Sequence, residues 1–176
     1  MKKISFILSA FIIILLLPVL VSHASSQENP QKVHIDCLNS PTQNRFRDNG
    51  DGTITDHCTN LLWQKSTSDT QPTWDQAPTY CSNLNLGKQT GWRVPTIQEL
   101  FSIVNYSSTN GIYTYPLFDF GDNNETGLYL WSSTPNVGNS GVAWQIQFTN
   151  VNSANGGSVR SLNKADPLEV RCVQSQ

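Results

Sequence analysis

Residues 91–100 read Gly91-Trp92-Arg93-Val94-Pro95-Thr96-Ile97-Gln98-Glu99-Leu100, and this stretch decides the local fold. Pro95 keeps the residue before it in an extended conformation. Thr96 and Glu99 have the spacing of a capping box, in which the hydroxyl and the carboxylate each bond a backbone amide at a helix start. The stretch therefore predicts a strand-to-helix corner, followed by a helix from Ile97 to about Val104.

Other elements are predicted on both sides of this corner. Phe46 and Ile54 flank the cluster 48–52, Asp-Asn-Gly-Asp-Gly, whose glycines and asparagine favour a tight hairpin. A third strand is expected at Leu61–Gln64. A first helix is expected around Thr73–Leu84, where Pro78 either kinks the first turn or delays the helix start. Short strands are predicted at 129–133, 143–149, 157–161 and 169–173.

The strand predicted at 143–149 has a clear alternation. Trp144, Ile146 and Phe148 alternate with two glutamines, Gln145 and Gln147. This pattern predicts a half-buried strand with an apolar inner face and an amide-lined outer face. Two helices followed by a loop-rich antiparallel sheet indicate the α+β fold class.

The N-terminus has the pattern of an export signal. Lys2 and Lys3 precede an apolar run from Ile4 to Val21, and Ser22-His23-Ala24 supplies small residues for cleavage after Ala24. A membrane anchor is the alternative, because the run approaches the length of a short spanning helix. The predicted organisation is a signal peptide at 1–24, a flexible lead at 25–36 and a single domain at 37–176, located in the periplasm or outside the cell.

The charge composition narrows the possible partners. Cleavage removes two of the 11 Lys and Arg residues and keeps all 13 Asp and Glu residues, so the remaining chain is mildly acidic. Without a basic stripe, the sequence does not predict binding to nucleic acid or to anionic lipid.

Four cysteines remain after cleavage, and an even number in an exported chain favours disulfides over free thiols or metal ligands. Four cysteines allow three pairings. We predict that Cys37 pairs with Cys58, which would join the N-terminal segment to the opening hairpin. We predict that Cys81 pairs with Cys172, which would join a helix to the last strand. In the chain-entropy model, the second bridge is worth about 4 to 5 kcal/mol.

Several motifs occur in the order typical of one bacterial family. They are Arg45-Phe46, the run from Asp48 to Asp56, Leu61-Leu62-Trp63-Gln64, Tyr80-Cys81, the run 91–100, Trp131-Ser132-Ser133-Thr134 and Val170-Arg171-Cys172-Val173. The chain resembles the C-terminal domain of Legionella collagen-like adhesins, a domain of unknown function in secreted bacterial proteins. The resemblance implies a C-type lectin-like fold, in which a disulfide joins the first helix to the last strand, as Cys81 and Cys172 would. The calcium triplet of sugar-binding lectins is missing.

Two acidic clusters are candidate cation sites. Asp48, Asp51 and Asp56 do not match an EF-hand, because Gly50 occupies a ligand position, so a structural turn is predicted. Asp119 and Asp122 are weaker calcium candidates. We expect no cofactor; calcium is possible without support from a motif.

The long loop after the second helix carries the predicted binding residues. Aromatic faces stack on sugar rings while amides and carboxylates bond hydroxyls. The candidates are Tyr113, Tyr115, Asp119, Asp122, Asn123, Asn124 and Glu125. Tyr106 and Tyr129 also fall in or beside this loop. By contrast, Trp63, Trp92, Trp131 and Trp144 are predicted to lie in the core, and Arg93 is predicted to bond groups near the helix corner.

Together these features predict an exported, adhesin-like binding module that recognises a glycan or a cell-surface protein. A non-catalytic accessory role in an envelope assembly is the alternative. A hydrolase is the third hypothesis, and no catalytic residues are assigned, since a nucleophile needs a positioned base and only His34 and His57 remain after cleavage. The protein could also form oligomers.

Overall fold

The computed structural model describes residues 45–108, 112–120, 128–148 and 156–176. The predicted signal peptide and the predicted lead lie outside the described residues and stay predictions. Within the described ranges, no helix has both the length and the apolar character that crossing a membrane requires.

Seven strands and two helices make up the described part of the chain. In chain order they are β1 (Phe46–Asp48), β2 (Thr53–Asp56), β3 (Leu61–Gln64), α1 (Ala77–Asn83), α2 (Ile97–Ser102), β4 (Tyr129–Pro135), β5 (Val142–Gln147), β6 (Ser158–Asn163) and β7 (Val173–Ser175). They form a four-stranded sheet in the order β1-β2-β3-β7 and a three-stranded sheet in the order β4-β5-β6. All named strand pairs are antiparallel.

The prediction of an α+β, C-type lectin-like fold is wrong, because the described chain is mostly β with two short helices. The first helix is shorter than predicted, since a proline fits only in the first helical turn. Pro78 occupies that turn, so α1 begins at Ala77. The residues before it form a turn instead, in which the amides of Gln76 and Ala77 both donate to the carbonyl of Thr73.

The prediction of two disulfides is also not borne out. The described residues contain one bridge, between Cys81 in α1 and Cys172 next to β7, with 5.6 Å between the two Cα atoms. Cys37, the predicted partner of Cys58, lies outside the described residues. No cysteine in the described part of the chain carries a free thiol.

The predicted corner at residues 91–100 is confirmed. The amide of Glu99 donates to Thr96 Oγ1 at 3.2 Å, and the amide of Thr96 donates to Glu99 Oε2 at 2.8 Å. Arg93 donates to both oxygens of Glu99, at 2.8 and 2.6 Å. The predicted structural role of Arg93 is therefore confirmed, and the carboxylate of Glu99 serves the helix cap and the ion pair together.

The same corner connects the two sheets. The backbone of Arg93 exchanges two hydrogen bonds with Val173 in β7, both of 2.9 Å. On the other side, the amide of Ser133 in β4 donates to Pro95 O at 2.7 Å, and the amide of Ile97 donates to Thr134 Oγ1 at 3.0 Å. The run thus joins β7 of one sheet to β4 of the other.

Alternating side chains of β3 face two core clusters. Leu62 packs with α1, the disulfide and Trp92, while Trp63 points to the opposite face and enters the larger cluster. That larger cluster brings together both sheets, α2 and the segment 112–120. Its members include Ile54, Trp63, Leu100, Phe118, Leu130, Ile146, Phe148 and Val173.

Two details of the predicted strands differ in the structure. The amide-lined face of β5 is not open to solvent: Gln145 and Gln147 are only 2% and 8% exposed. Gln145 lies opposite Trp131, which is itself fully buried, so this face is covered as well. The last strand begins at Val173 rather than at Glu169, which forms only an isolated parallel bridge with Leu130.

Replacing Thr96 by alanine tests the capping box. The variant loses the acceptor for the Glu99 amide, so we expect the free energy of unfolding to fall by about 1 kcal/mol. Urea denaturation of the purified protein measures this change. Ser140→Ala, at an exposed position, is the control and should leave stability unchanged. Equal stability of Thr96→Ala and the unmodified protein would contradict the role of the cap.

The pH dependence of stability tests the Arg93–Glu99 pair. Hydrogen bonding to Arg93 holds the pKa of Glu99 below its ordinary value of 4.5. Because the pKa of Glu99 is lower in the folded protein than in the unfolded chain, its pairing with Arg93 stabilises the fold at pH values above the pKa in the unfolded chain. This contribution is lost as the pH falls through the pKa in the folded protein. Between about pH 6 and about pH 3, the protein should therefore lose more stability than Glu99→Gln does. Urea denaturation at several pH values measures the free energy of unfolding of both proteins. An equal loss of unfolding free energy in the two proteins over this pH range would contradict the expectation.

Candidate functional site

A cleft opens between the loop that follows β3 and the segment 112–120. Two cavities, of about 490 Å³ and about 440 Å³, lie along these segments and have Asp119 and Phe120 in common in their linings. We refer to the two cavities together as the cleft. The first is lined by Lys65, Ile112, Thr114, Tyr115, Pro116, Leu117 and Phe118 in addition to the shared pair. The second is lined by Ser66, Thr67, Ser68, Asp69, Thr70, Gln71 and Glu169 in addition to that pair.

The two walls of this cleft are held together by the guanidinium of Arg171. This side chain is fully buried. Its Nη1 donates to Gln64 O at 2.9 Å and also to Lys65 O, and its Nη2 donates to Asp119 O at 2.7 Å. The amide of Asp119 donates in turn to Lys65 O at 3.0 Å. One side chain therefore connects the end of β3 to the loop that forms the opposite wall.

Aromatic rings complete the surroundings of Arg171. The guanidinium carbon lies 5.0 Å from the ring centroid of Phe118 and 4.5 Å from that of Phe120, distances typical of cation–π contacts. Burial lowers the pKa of Arg171 to about 9, and the carboxylates of Asp119 and Glu169 oppose this shift. The buried charge is thus stabilised by carbonyl oxygens, ring faces and nearby carboxylates.

The lining of the cleft carries little positive charge. Lys65 is the one cation among its described lining residues, and its Nζ lies 2.6 Å from Asp48 Oδ2. Hydrogen bonding between the two groups raises the pKa of Lys65 and lowers that of Asp48. Asp69, Asp119 and Glu169 contribute carboxylates to the second cavity. The cleft therefore offers hydroxyl, amide and carboxylate groups rather than cations.

Two of the predicted binding residues line this cleft. The ring of Tyr115 packs against that of Phe46 at a tilt of 53°, with 4.6 Å between ring centroids. Asp119 Oδ2 accepts a 3.3 Å hydrogen bond from Ser66. Tyr113 is not in the lining; its ring contacts Tyr106. Asp122, Asn123, Asn124 and Glu125 lie outside the described residues, so their role stays a prediction, as does a calcium site at Asp119 and Asp122.

The three carboxylates of the first hairpin, Asp48, Asp51 and Asp56, have a structural role. Asp48 accepts from the amide of Gly50, Asp51 accepts from the amide and the hydroxyl of Thr53, and Asp56 binds Arg45 with a closest distance of 2.7 Å. Each carboxylate therefore stabilises the hairpin itself. Among the described residues, no three His, Cys, Asp or Glu side chains are grouped to hold a metal ion.

The predicted core position is correct for three of the four tryptophans. Trp63, Trp92 and Trp131 are buried, whereas Trp144 is partly exposed. Tyr129, which the sequence places beside the long loop, lies in β4 opposite Gln147 and not in the cleft lining.

Sequence reasoning missed one wall of the cleft and its anchor. The wall is the run Ser66-Thr67-Ser68-Asp69-Thr70-Gln71, whose density of hydroxyl and amide groups directly after a strand was the available signal. Arg171 is visible in the sequence as a cation between Val170 and Cys172, but its distant carbonyl partners are not. Contacts separated by 52 to 107 positions cannot be read from local patterns.

A comparison with known families identifies the chain. The family model of the Lcl C-terminal domain matches residues 52–174. The chain belongs to the Lcl C-terminal domain family. This result confirms the predicted resemblance to the C-terminal domain of Legionella collagen-like adhesins. No curated protein gives a significant match.

Membership in the Lcl C-terminal domain family indicates an adhesin-like surface protein. The family is not known to be enzymatic. The matched region begins inside the first hairpin and ends in β7, so it includes both walls of the cleft and Arg171.

Arg171→Lys tests the anchor of the cleft. A lysine ammonium keeps the charge but cannot present the planar fork of donors, so buried carbonyls lose their partners. Each unsatisfied group costs about 1 to 3 kcal/mol, and we expect the unfolding free energy to fall by about 3 kcal/mol. Urea denaturation measures the change, with the exposed Arg160→Lys as the matched control. Equal stability of the two variants would contradict the anchoring role.

Proposed function

We propose that this protein is an adhesin-like module that recognises an uncharged glycan in the cleft between residues 65–71 and 112–120. The observation that carries the proposal is the lining of the cleft, which combines hydroxyl, amide and apolar surfaces with a lysine already paired to Asp48. Family membership supports the adhesin-like role. The predicted export signal is consistent with a ligand outside the cytoplasm.

The size of the cleft supports a sugar ligand. Ligand sites in proteins typically have volumes of about 300 to 1,000 Å³, and each of the two cavities falls in this range. Ser66, Thr67, Thr70 and Gln71 offer donors and acceptors for sugar hydroxyls, while Tyr115 offers part of an aromatic ring. Arg171 fixes the two walls in place, and such preorganisation reduces the entropy lost on binding.

The charges around the cleft argue against a sulfated ligand. Sulfate groups are bound best by Arg and Lys side chains that donate charge-assisted hydrogen bonds. Arg171 is buried and donates to backbone carbonyls, and Lys65 is engaged by Asp48. Asp69, Asp119 and Glu169 would repel an anion in the second cavity. An uncharged glycan meets none of these obstacles.

A glycan array followed by calorimetry tests this proposal. The oxidised protein should bind at least one uncharged glycan and should bind sulfated glycans more weakly. For that glycan, Asp119→Asn should weaken binding by about tenfold, because hydrogen bonds to a charged acceptor contribute about 1.5 to 3 kcal/mol. Asp75→Asn, an exposed carboxylate outside the cleft lining, is the matched control and should bind normally.

Two results would overturn the proposal. The first is an array on which the oxidised protein prefers sulfated glycans or binds no glycan. The second is a bound glycan whose affinity is unchanged in Asp119→Asn and also in Thr70→Trp, a variant that would fill the cleft with an indole ring. Circular dichroism of each variant verifies that the fold is retained.

A further inference from the structure

A second surface of this protein carries exposed aromatic rings outside the cleft. Phe101 at the end of α2 is 47% exposed, and Tyr106 in the following loop is 60% exposed. The ring centroid of Tyr106 lies 6.3 Å from that of Phe101 and 6.3 Å from that of Tyr113. We call these three residues the aromatic platform. The apolar surface of exposed rings grouped in this way is removed from water only when a partner covers it.

The backbone opposite the platform is shaped to fit it. Tyr106 Oη donates to Gly157 O at 3.0 Å. A Cβ atom at Gly156 would lie 1.9 Å from a ring carbon of Tyr113, and one at Gly157 would lie 2.9 Å from a ring carbon of Tyr106. Glycine at both positions lets the backbone approach the two tyrosine rings closely, and the hydrogen bond to Gly157 O restrains the ring of Tyr106. A preordered ring gives up little entropy on binding.

The segment that carries the platform has no charged side chain of its own. No charged residue occurs from Leu100 to Phe118, the part of the sequence that supplies all three rings. Asn105 and Ser107 lie on either side of Tyr106 and carry polar, uncharged side chains. An acidic or basic partner would find no complementary charge on these residues, whereas a ligand with flat apolar faces and neutral polar edges matches both the rings and their rim.

We infer that the aromatic platform is a second binding surface, and that its ligand is an uncharged polysaccharide with equatorial, β-linked pyranose rings. Such rings present a flat face of C–H groups, which packs on an aromatic ring, and direct their hydroxyls outward towards polar side chains. This surface stands on different residues from the cleft of the proposed function, so either site can be tested without the other.

The platform adjoins the cleft through one extended segment. Ile112, Thr114 and Tyr115 line the cleft, and Tyr113 between them belongs to the platform. The backbone holds this segment on both sides, since the amide of Tyr113 donates to Phe148 O at 2.7 Å and the amide of Asn105 donates to Tyr113 O at 3.1 Å. One glycan chain that contacts both surfaces would bind more tightly, because the first contact raises the effective concentration of the glycan at the second surface.

Calorimetry with cellohexaose and chitohexaose tests the inference. The full oxidised protein should bind at least one of the two, and the double variant Phe101→Ser/Tyr106→Ser should bind it about tenfold more weakly, as truncated aromatic contacts do at binding surfaces. Tyr106→Phe keeps the ring and should retain the affinity. Val137→Ser removes another exposed apolar side chain, in the turn between β4 and β5, and should also bind normally.

Distinct outcomes separate this surface from the cleft and from self-association. Loss of hexasaccharide binding in Asp119→Asn, but not in the double variant, would assign the ligand to the cleft and overturn the inference. Binding of neither hexasaccharide would overturn it too. Light scattering measures the oligomeric state of both proteins. If the unmodified protein is an oligomer and the double variant is a monomer, a second copy of this chain covers the platform, and the inference of a glycan ligand is overturned. Urea denaturation of both variants ensures that altered binding is not unfolding.

Discussion

The buried guanidinium of Arg171 is the interaction on which the arrangement of the cleft depends. Burying a charge is costly unless the group is surrounded by hydrogen-bond partners. Here Gln64 O, Lys65 O and Asp119 O accept from it, and the rings of Phe118 and Phe120 lie close to it. Because these partners belong to the end of β3 and to the segment 112–120, satisfying the one charge fixes these two parts of the chain relative to each other.

The neighbours of Arg171 extend this constraint to the rest of the fold. Cys172 forms the disulfide to α1 and its amide donates to the Gln64 side chain at 3.0 Å, while Val173 pairs with both β3 and Arg93. Val170 donates its amide to Ser68 at the wall of the cleft. Four consecutive residues thus connect a helix, a sheet, the corner at 91–100 and the cleft.

A rigid frame whose cleft lining contains a single lysine, paired with Asp48, is consistent with attachment to an uncharged ligand. The cleft and the aromatic platform both stand on segments whose backbone is bonded on two sides, and neither depends on a described metal site. The protein belongs to a family associated with adhesion, yet its described cations near the cleft are committed to internal partners.

Local features were predictable from the sequence because their causes lie within a few residues. The hairpin around Gly50 and Gly52, the capping box of Thr96 and Glu99, and the short strand at Leu61–Gln64 all follow from neighbouring side chains. The family was also recognisable, since its motifs are short and ordered. The predicted pairing of Cys81 with Cys172 is also correct, although it required a contact between the first helix and the end of the chain, 91 positions apart.

The tertiary structure alone decided what those elements build. The two-sheet, mostly β architecture depends on how β7 joins β3 and on how residues 91–100 bridge to β4, which no local period encodes. The buried glutamines of β5 show the same limit, because alternation defines two faces but not what covers each of them. Half of the cleft wall also escaped prediction, since Ser66–Gln71 becomes a binding surface only when Arg171, about a hundred residues later in the chain, holds Asp119 opposite it.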